Sequence, residues 1–411
     1  YVGTAEAAIA AAGADHVAIF KAADHAWRGM FLAVVYPGLL FLAGTVCLPE
    51  SPRWLVRKQR LPEARAVLLR IRAPAACSAE LASIEQALAR EARQEHLSWL
   101  AGVREILTQR RYVWPFILAC LILACTQATG INSILQFMST ILLSAGLGAV
   151  ATAESAVAIK IVNVVFTVLA ILLVERKGRV FLLKLGTGGI ALALLLLALI
   201  FHRIEAGQSA VQDQLTGLIR HDTLELTLAA PPGQDQQLSV LYAYGEREGH
   251  AAVRAPAGGK AVLRIVPRSG ADARQPLRIV RALAGPAPPR LTGLMAALCI
   301  ALFVASFAIG PGICVWLALS ELMPNRIRSV GMGIALLINQ SVGTAVAFLF
   351  LPVVGSHGYA AMFLFWATCS LLYFITVAAF LPETKGKSLE EIERHFERRK
   401  SGAPVRAGGG K

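Results

Sequence analysis

Charge is what this sequence has little of. Asp, Glu, Lys and Arg make up 16% of its 411 residues, against about 25% in a typical soluble domain. That scarcity excludes a charge-laced coiled coil, and the strongly apolar balance excludes a disordered chain. Aromatic residues are also few, at 7%. The seven cysteines have neither the density of a disulfide-stapled module nor the spacing of a metal centre. Cys120 and Cys125 form no CxxC, and Cys47, Cys120, Cys125, Cys299, Cys314 and Cys369 lie in apolar stretches, with Cys77 in a charged loop. They read as small core-filling thiols, and neither a metal nor another cofactor is expected. The chain starts at Tyr1 rather than Met, with no charged n-region and cleavage site before the first apolar run. It reads as a fragment without a signal peptide.

What is abundant is apolar. Hydrophobic residues are 56% of the chain and the mean hydropathy is +0.58, which points to an all-α polytopic membrane protein. In that setting a net charge of +14 is chiefly an orientation signal and not a nucleic-acid surface.

A helix needs about 20 apolar residues to cross the hydrocarbon core. Seven such runs occur, at 29–48, 113–146, 155–174, 180–201, 292–319, 330–354 and 358–381. Gly130 sits in the middle of the second, and a bend there marks a candidate site, because broken helices at membrane depth are tolerated where they line a cavity. Between the first two runs, residues 49–112 carry twelve Lys/Arg against seven acids. Arg176, Lys177 and Arg179, then Arg326 and Arg328, then the tail from Lys385, continue this basic set at alternate connections. The positive-inside rule makes these positions cytoplasmic.

The expected organisation is an extracytoplasmic segment 1–26, a span at 27–48, a cytoplasmic helical linker 49–112 and three spans within 113–202. An extracytoplasmic β-rich insertion 203–290, three spans within 291–381 and a cytoplasmic tail 382–411 complete it. The insertion has eleven Lys/Arg and eight acids, yet a segment of that length translocates largely regardless of charge. Alternation at Thr223–Leu228 and β-rich runs at Leu238–Tyr244 and Ala261–Val266, bounded by Pro and Gly, predict strands. In the linker, Pro62-Glu63-Ala64-Arg65 opens an amphipathic helix with Val67, Leu68 and Ile71 expected toward the bundle.

Uncharged amides cost less than ions at the bilayer centre, and they both donate and accept, as a site for a many-hydroxyl ligand requires. Gln127, Asn132 and Gln136 recur at five- and four-residue spacing in the second run, where an unbroken helix is expected to set them near one face. Asn339 and Gln340 sit mid-span in the sixth run, and Trp316 in the fifth offers an apolar face for stacking. The alternative for each amide is helix–helix hydrogen bonding. A second set is ionic: Glu50, Arg53, Glu175, Arg179, Glu321, Arg328 and Glu383 lie within a few residues of cytoplasmic span ends. Such charges can pair across helix ends as a breakable gate, or simply form a solvated rim.

Pro49-Glu50-Ser51-Pro52-Arg53-Trp54-Leu55 and Pro382-Glu383-Thr384-Lys385-Gly386 close the first and last spans. With Gln127-Ala128-Thr129-Gly130-Ile131-Asn132, Glu175-Arg176-Lys177-Gly178-Arg179 and Gly310-Pro311-Gly312 through Trp316 to Glu321, they resemble signatures of the sugar porter family of the major facilitator superfamily. The resemblance implies a twelve-span fold in two six-helix halves. This chain would hold helix six, starting at Trp27-Arg28-Gly29-Met30, the linker and the C-terminal half, and would lack the first five helices. It also implies sugar contacts at Gln127, Asn132, Asn339 and Trp316. Thr126 stands where a first glutamine is usual, Gln136-Phe137 where a tyrosine pair is usual, and Val180 where a further cation is usual.

The implied activity is secondary transport of a monosaccharide (hexose or pentose) by alternating access in a bacterial inner membrane, with a proton as the coupling ion and a monomer in the lipid bilayer. It is not an enzyme. Facilitated sugar uniport, an inactive remnant and a seven-span receptor are the alternatives. The large helical loop after the first span and the inner-edge Glu/Arg pairs speak against the receptor.

Overall fold

The computed structural model describes residues 16–71, 74–93, 99–220, 222–245, 247–267, 275–323, 327–383 and 385. Expectations for residues 1–15, Arg326, Thr384 and the tail from Gly386 lie outside the described residues. The chain divides into two units, residues 1–96 and 97–411.

In the first unit, helix α1 runs His16–Cys47, beginning eleven residues before the span expected at 27–48. Its side chains from Phe31 to Leu48 are all exposed, with Leu40 at 76%. A helix apolar all round is one made to be covered by lipid or by other helices. Ser51 then ends the loop: its hydroxyl accepts the Trp54 N–H at 3.2 Å, and Pro52 fills the first helical position of α2 (Pro52–Arg57). Helices α3 (Leu61–Ile71) and α4 (Pro74–Arg93) follow. Leu55, Val56 and Ala64 form their shared core, with Val67, Leu81 and Ile84 packed on it. Val67 of α3 thus packs in the linker's own core. Cys77 is not in a loop but buried on α4, 3.8 Å from the Arg65 carbonyl.

The second unit opens with α5 (Trp99–Thr108), and the apolar runs then fold into six passes. These are α6 (Arg110–Ala128) with α7 (Ile131–Ser144), α8 (Ala149–Lys177), α9 (Arg179–Ala206), α11 (Arg290–Ile309) with α12 (Pro311–Leu322), and α13 (Arg328–Phe380), which counts twice. Within α13, Gly358 leaves the helix at φ 92°, ψ 172°, so two passes meet there. The break at Gly310 (φ −107°, ψ −96°) divides the run read as one span at 292–319. Hydropathy does not register it, although Pro311 at the first helical position is a start signal. Leu194, Leu197, Ile300, Phe303, Phe350 and Trp366, all fully buried, lie in the larger core.

Between α9 and α11 stands a β unit: β1 (Ser209–Ala210), the short α10 (Gln212–Thr216), β2 (Leu224–Ala229), β3 (Gln236–Tyr244), β4 (Arg247–Ala255), β5 (Lys260–Ile265) and β6 (Leu277–Pro286). A four-stranded sheet has the order β1-β6-β3-β4, and β2 pairs with β5. Every pairing between these strands is antiparallel. Leu224, Leu238, Val240, Leu263 and Ile279 fill its core. It marks one end of the bundle, hereafter the insertion end. The last helix runs to the other, the tail end.

Candidate functional site

The site begins with the break between α6 and α7. Gly130 has φ +78°, a left-handed conformation that costs a side-chain-bearing residue about 1 kcal/mol or more. A Cβ there would also overlap the indole of Trp366. Only glycine satisfies both demands. At 100° per residue a straight helix sets Gln127 and Asn132 about 140° apart, so the expectation of one shared face fails for a continuous helix. The break reverses this, because Asn132 Nδ2 donates to Gln127 Oε1 at 2.9 Å.

The contact continues as a chain of amides. Gln127 Nε2 donates to Asn339 Oδ1 at 3.0 Å, and Asn339 Nδ2 donates to the Leu123 carbonyl at 3.0 Å. Asn339 is 1% exposed and Asn132 is exposed, so the chain runs from buried backbone to an open end. Gln136 lies one turn beyond Asn132 and is exposed too. A Cβ at Gly343 would come within 3.2 Å of Gln127 Oε1. That glycine is four residues from Asn339, on the same face of α13, and makes room for the amide. It was not singled out in the sequence, and the four-residue spacing was its only signal.

Other residues stand apart from this chain. Thr126 is buried, its hydroxyl 2.8 Å from the Ile122 carbonyl and 3.0 Å from the Tyr373 hydroxyl, so it faces into the bundle. Gln340 is exposed, about 100° around the helix from Asn339. Trp316 is 47% exposed on α12. One turn before it, Gly312 and Ile313 line a cavity of about 220 Å³ shared with Ile131, Leu135, Asn163 and Thr167. Asn163 and Thr167 of α8 thus line this cavity with Ile131 and Leu135 of the amide-bearing helix α7.

At the tail end the ionic set is partly gathered. The Glu383 carboxylate accepts the Arg179 and Val180 backbone N–H groups at 3.1 and 3.2 Å. It thereby caps the N-terminus of α9, where an anion is favoured. Gly178, at φ +89°, leaves space for that carboxylate. Arg179 Nη2 bridges Glu175 Oε1 at 3.0 Å and Glu321 Oε1 at 3.3 Å. Lys385 Nζ donates to the Arg176 carbonyl at 2.6 Å, at the C-terminal turn of α8. Arg328 Nε donates to the Met323 carbonyl at 3.2 Å. Glu50 and Arg53 are exposed and belong to the other unit.

Residues 2–217 and 279–396 match the family described as sugar (and other) transporters. The chain belongs to that family. The stretch between the two matched parts holds β2 to β5 and the start of β6. Among relatives, this chain is 26% identical to the probable metabolite transport protein CsbC of Bacillus subtilis, over 91% of this chain and 62% of that protein. It is 25% identical to the arabinose-proton symporter of the same organism, over 90% and 59%. The solved structure of the proton:xylose symporter XylE bound to 6-bromo-6-deoxy-D-glucose aligns with a TM-score of 0.55 at 22% identity, covering 90% of this chain and 59% of that one. The shared fold is that of the major facilitator superfamily, and the chain is a multi-pass membrane protein. It spans about three fifths of the length of these relatives.

Proposed function

We propose that this chain contributes the amide-lined half of a monosaccharide transporter that works by alternating access, with its tail end cytoplasmic and its β unit extracytoplasmic in a bacterial inner membrane. The observation that carries the reading is the chain of amides Asn132–Gln127–Asn339 at the Gly130 break. Each amide is already oriented by its neighbour, and the exposed end can exchange solvent for sugar hydroxyls. Gln136, Gln340 and Trp316 supply further open contacts, and Asn163 adds another amide. Thr126 supports the helix and does not touch sugar. The ion pairs around Arg179, together with Arg328, serve as the cytoplasmic gate of this unit.

Proton symport is the favoured coupling, since an arabinose-proton symporter and a proton:xylose symporter are among the relatives. Facilitated uniport is the second reading, since a facilitated glucose transporter is among the relatives as well. Binding of D-xylose, D-glucose, L-arabinose and myo-inositol to the purified chain, measured by calorimetry, tests the site. Gln127→Ala is expected to weaken the best of these at least tenfold, and unchanged affinity would sink the assignment. Uptake into proteoliposomes with and without an imposed pH gradient separates symport from uniport, and also tests whether the chain transports by itself.

A further inference from the structure

The β unit is fastened to the bundle at points that all lie on helix ends. On β3, Gln237 is 3% exposed and its Nε2 donates to the Leu143 carbonyl, in the last turn of α7, at 3.4 Å. On β4, Arg254 Nη1 donates to the Gly146 carbonyl just beyond that turn at 3.5 Å. Arg254 is itself held by Asp235, whose Oδ2 lies 2.8 Å from Nη2 and 3.1 Å from Nε. That bond, with the Ala257 N–H, holds the Asp235 carboxyl below its ordinary range. The proline linker after β6 closes on the same turn, where a Cβ on Gly146 would meet the Pro288 carbonyl at 2.7 Å.

A second set of contacts joins β6 to the other passes. Arg281 Nη1 donates to the Val354 carbonyl at 2.8 Å, and its Nη2 lies 3.8 Å from Glu205 at the end of α9. Glu205 accepts the Tyr359 N–H at 2.8 Å, across the break at Gly358. One sheet therefore grips α7, α9 and the first pass of α13, and Glu205 of α9 ties in the second pass. Of these, α7 is the half-helix that carries Asn132 and Gln136, and its other end is the left-handed Gly130. A helix broken from its neighbour by such a residue can pivot about the break, and a hold on its far end has the most leverage against that motion.

We propose that Gln237 and Arg254 are positioning residues: through Leu143 and Gly146 they hold the far end of α7 to the rest of the bundle, and so fix where Asn132 and Gln136 stand relative to Gln127 and Asn339. The consequence for substrate rests on the sugar-site reading above, whereas the restraint on α7 does not. Neither residue touches the amides, and each acts only through the backbone of α7. The β unit is then part of the transport machinery's geometry and more than a passive insertion.

Hydrogen exchange on the full 411-residue chain in detergent tests the restraint without any sugar. In Gln237→Ala/Arg254→Ala, peptides covering 131–147 are expected to exchange about tenfold faster, the scale of losing two such hydrogen bonds. Exchange in β3, β6 and the middle of α9 should stay as in the parent. Unchanged exchange at 131–147 overturns the proposal. So does an equal rise throughout the β unit, which would mark general loosening. Arg254→Lys and Gln237→Ala alone, which leave the strands intact, should give the same pattern at smaller amplitude. Affinity for D-xylose and D-glucose in the same variants then separates the two claims: faster exchange at 131–147 with lower affinity supports both, while faster exchange with unchanged affinity keeps the restraint and overturns the placement of sugar against α7.

Discussion

The amide centre and the tail end of this bundle solve the same problem in opposite ways. Both must satisfy polar groups between tightly packed helices. At the centre, side chains satisfy side chains: Asn132 bonds Gln127, Gln127 bonds Asn339, and backbone enters only at Leu123. At the tail end, charged side chains are spent largely on backbone. Glu383 takes two N–H groups of α9, Lys385 takes a carbonyl of α8 and Arg328 takes the Met323 carbonyl. The difference is in what can be exchanged. A side-chain chain with an exposed end can trade partners with a ligand, whereas a cap on a helix terminus is an anchor. At the same tail end, the Arg179 bridge to Glu175 and Glu321 is made between side chains.

The largest expected effect comes from Gly130→Ala. It forces a methyl into the Trp366 indole at a left-handed position, and should cost about 2–5 kcal/mol. Thermal unfolding in detergent reads this as a midpoint lowered by many degrees, with Gly148→Ala, which meets open space, as the control. Equal midpoints for the two variants would mean that the amide centre does not depend on its break.

Next in size is Glu383→Ala, which removes the cap of α9 and should cost about 1–2 kcal/mol. Glu383→Gln keeps the acceptor oxygen and should lose about half of that. If the glutamine variant falls as far as the alanine, charge and not capping governs this end, and the contrast drawn above collapses.

Smallest is Arg179→Lys. It keeps the charge but loses the fork that spans two carboxylates, at a cost below about 1 kcal/mol. Its effect should appear in transport rate or inward accessibility and hardly in the unfolding midpoint. A midpoint drop larger than that of Glu383→Ala would make the bridge a structural anchor as well.

Much of this was legible in the chain, for identifiable reasons. Apolar runs at 155–174 and 180–201 fall inside α8 and α9, because burial in lipid imposes length and hydropathy directly on sequence. The break at Gly130 showed as a glycine within a long run. Strand segments read at 223–228, 238–244 and 261–266 lie close to β2, β3 and β5, since alternation and Gly/Pro boundaries are local signals. What could not be read was pairing at a distance. Nothing near Glu383 announces the amides of residues 179 and 180, and nothing near Thr126 announces Tyr373, 247 positions away. The Gly310 break was hidden for a different reason, since a backbone turn leaves hydropathy unchanged.

The cap that Glu383 places on α9 also has a consequence in time. Its acceptor and its donors are 204 and 203 positions apart. At about 5–20 residues per second, a ribosome that has made Arg179 needs roughly ten to forty seconds more to reach Glu383. Throughout that interval the start of α9 has no carboxylate to meet it. The N-terminus of the third pass is therefore among the last parts of the bundle to be finished, and a chain released early, even by a few residues beyond the final helix, would leave it open for good.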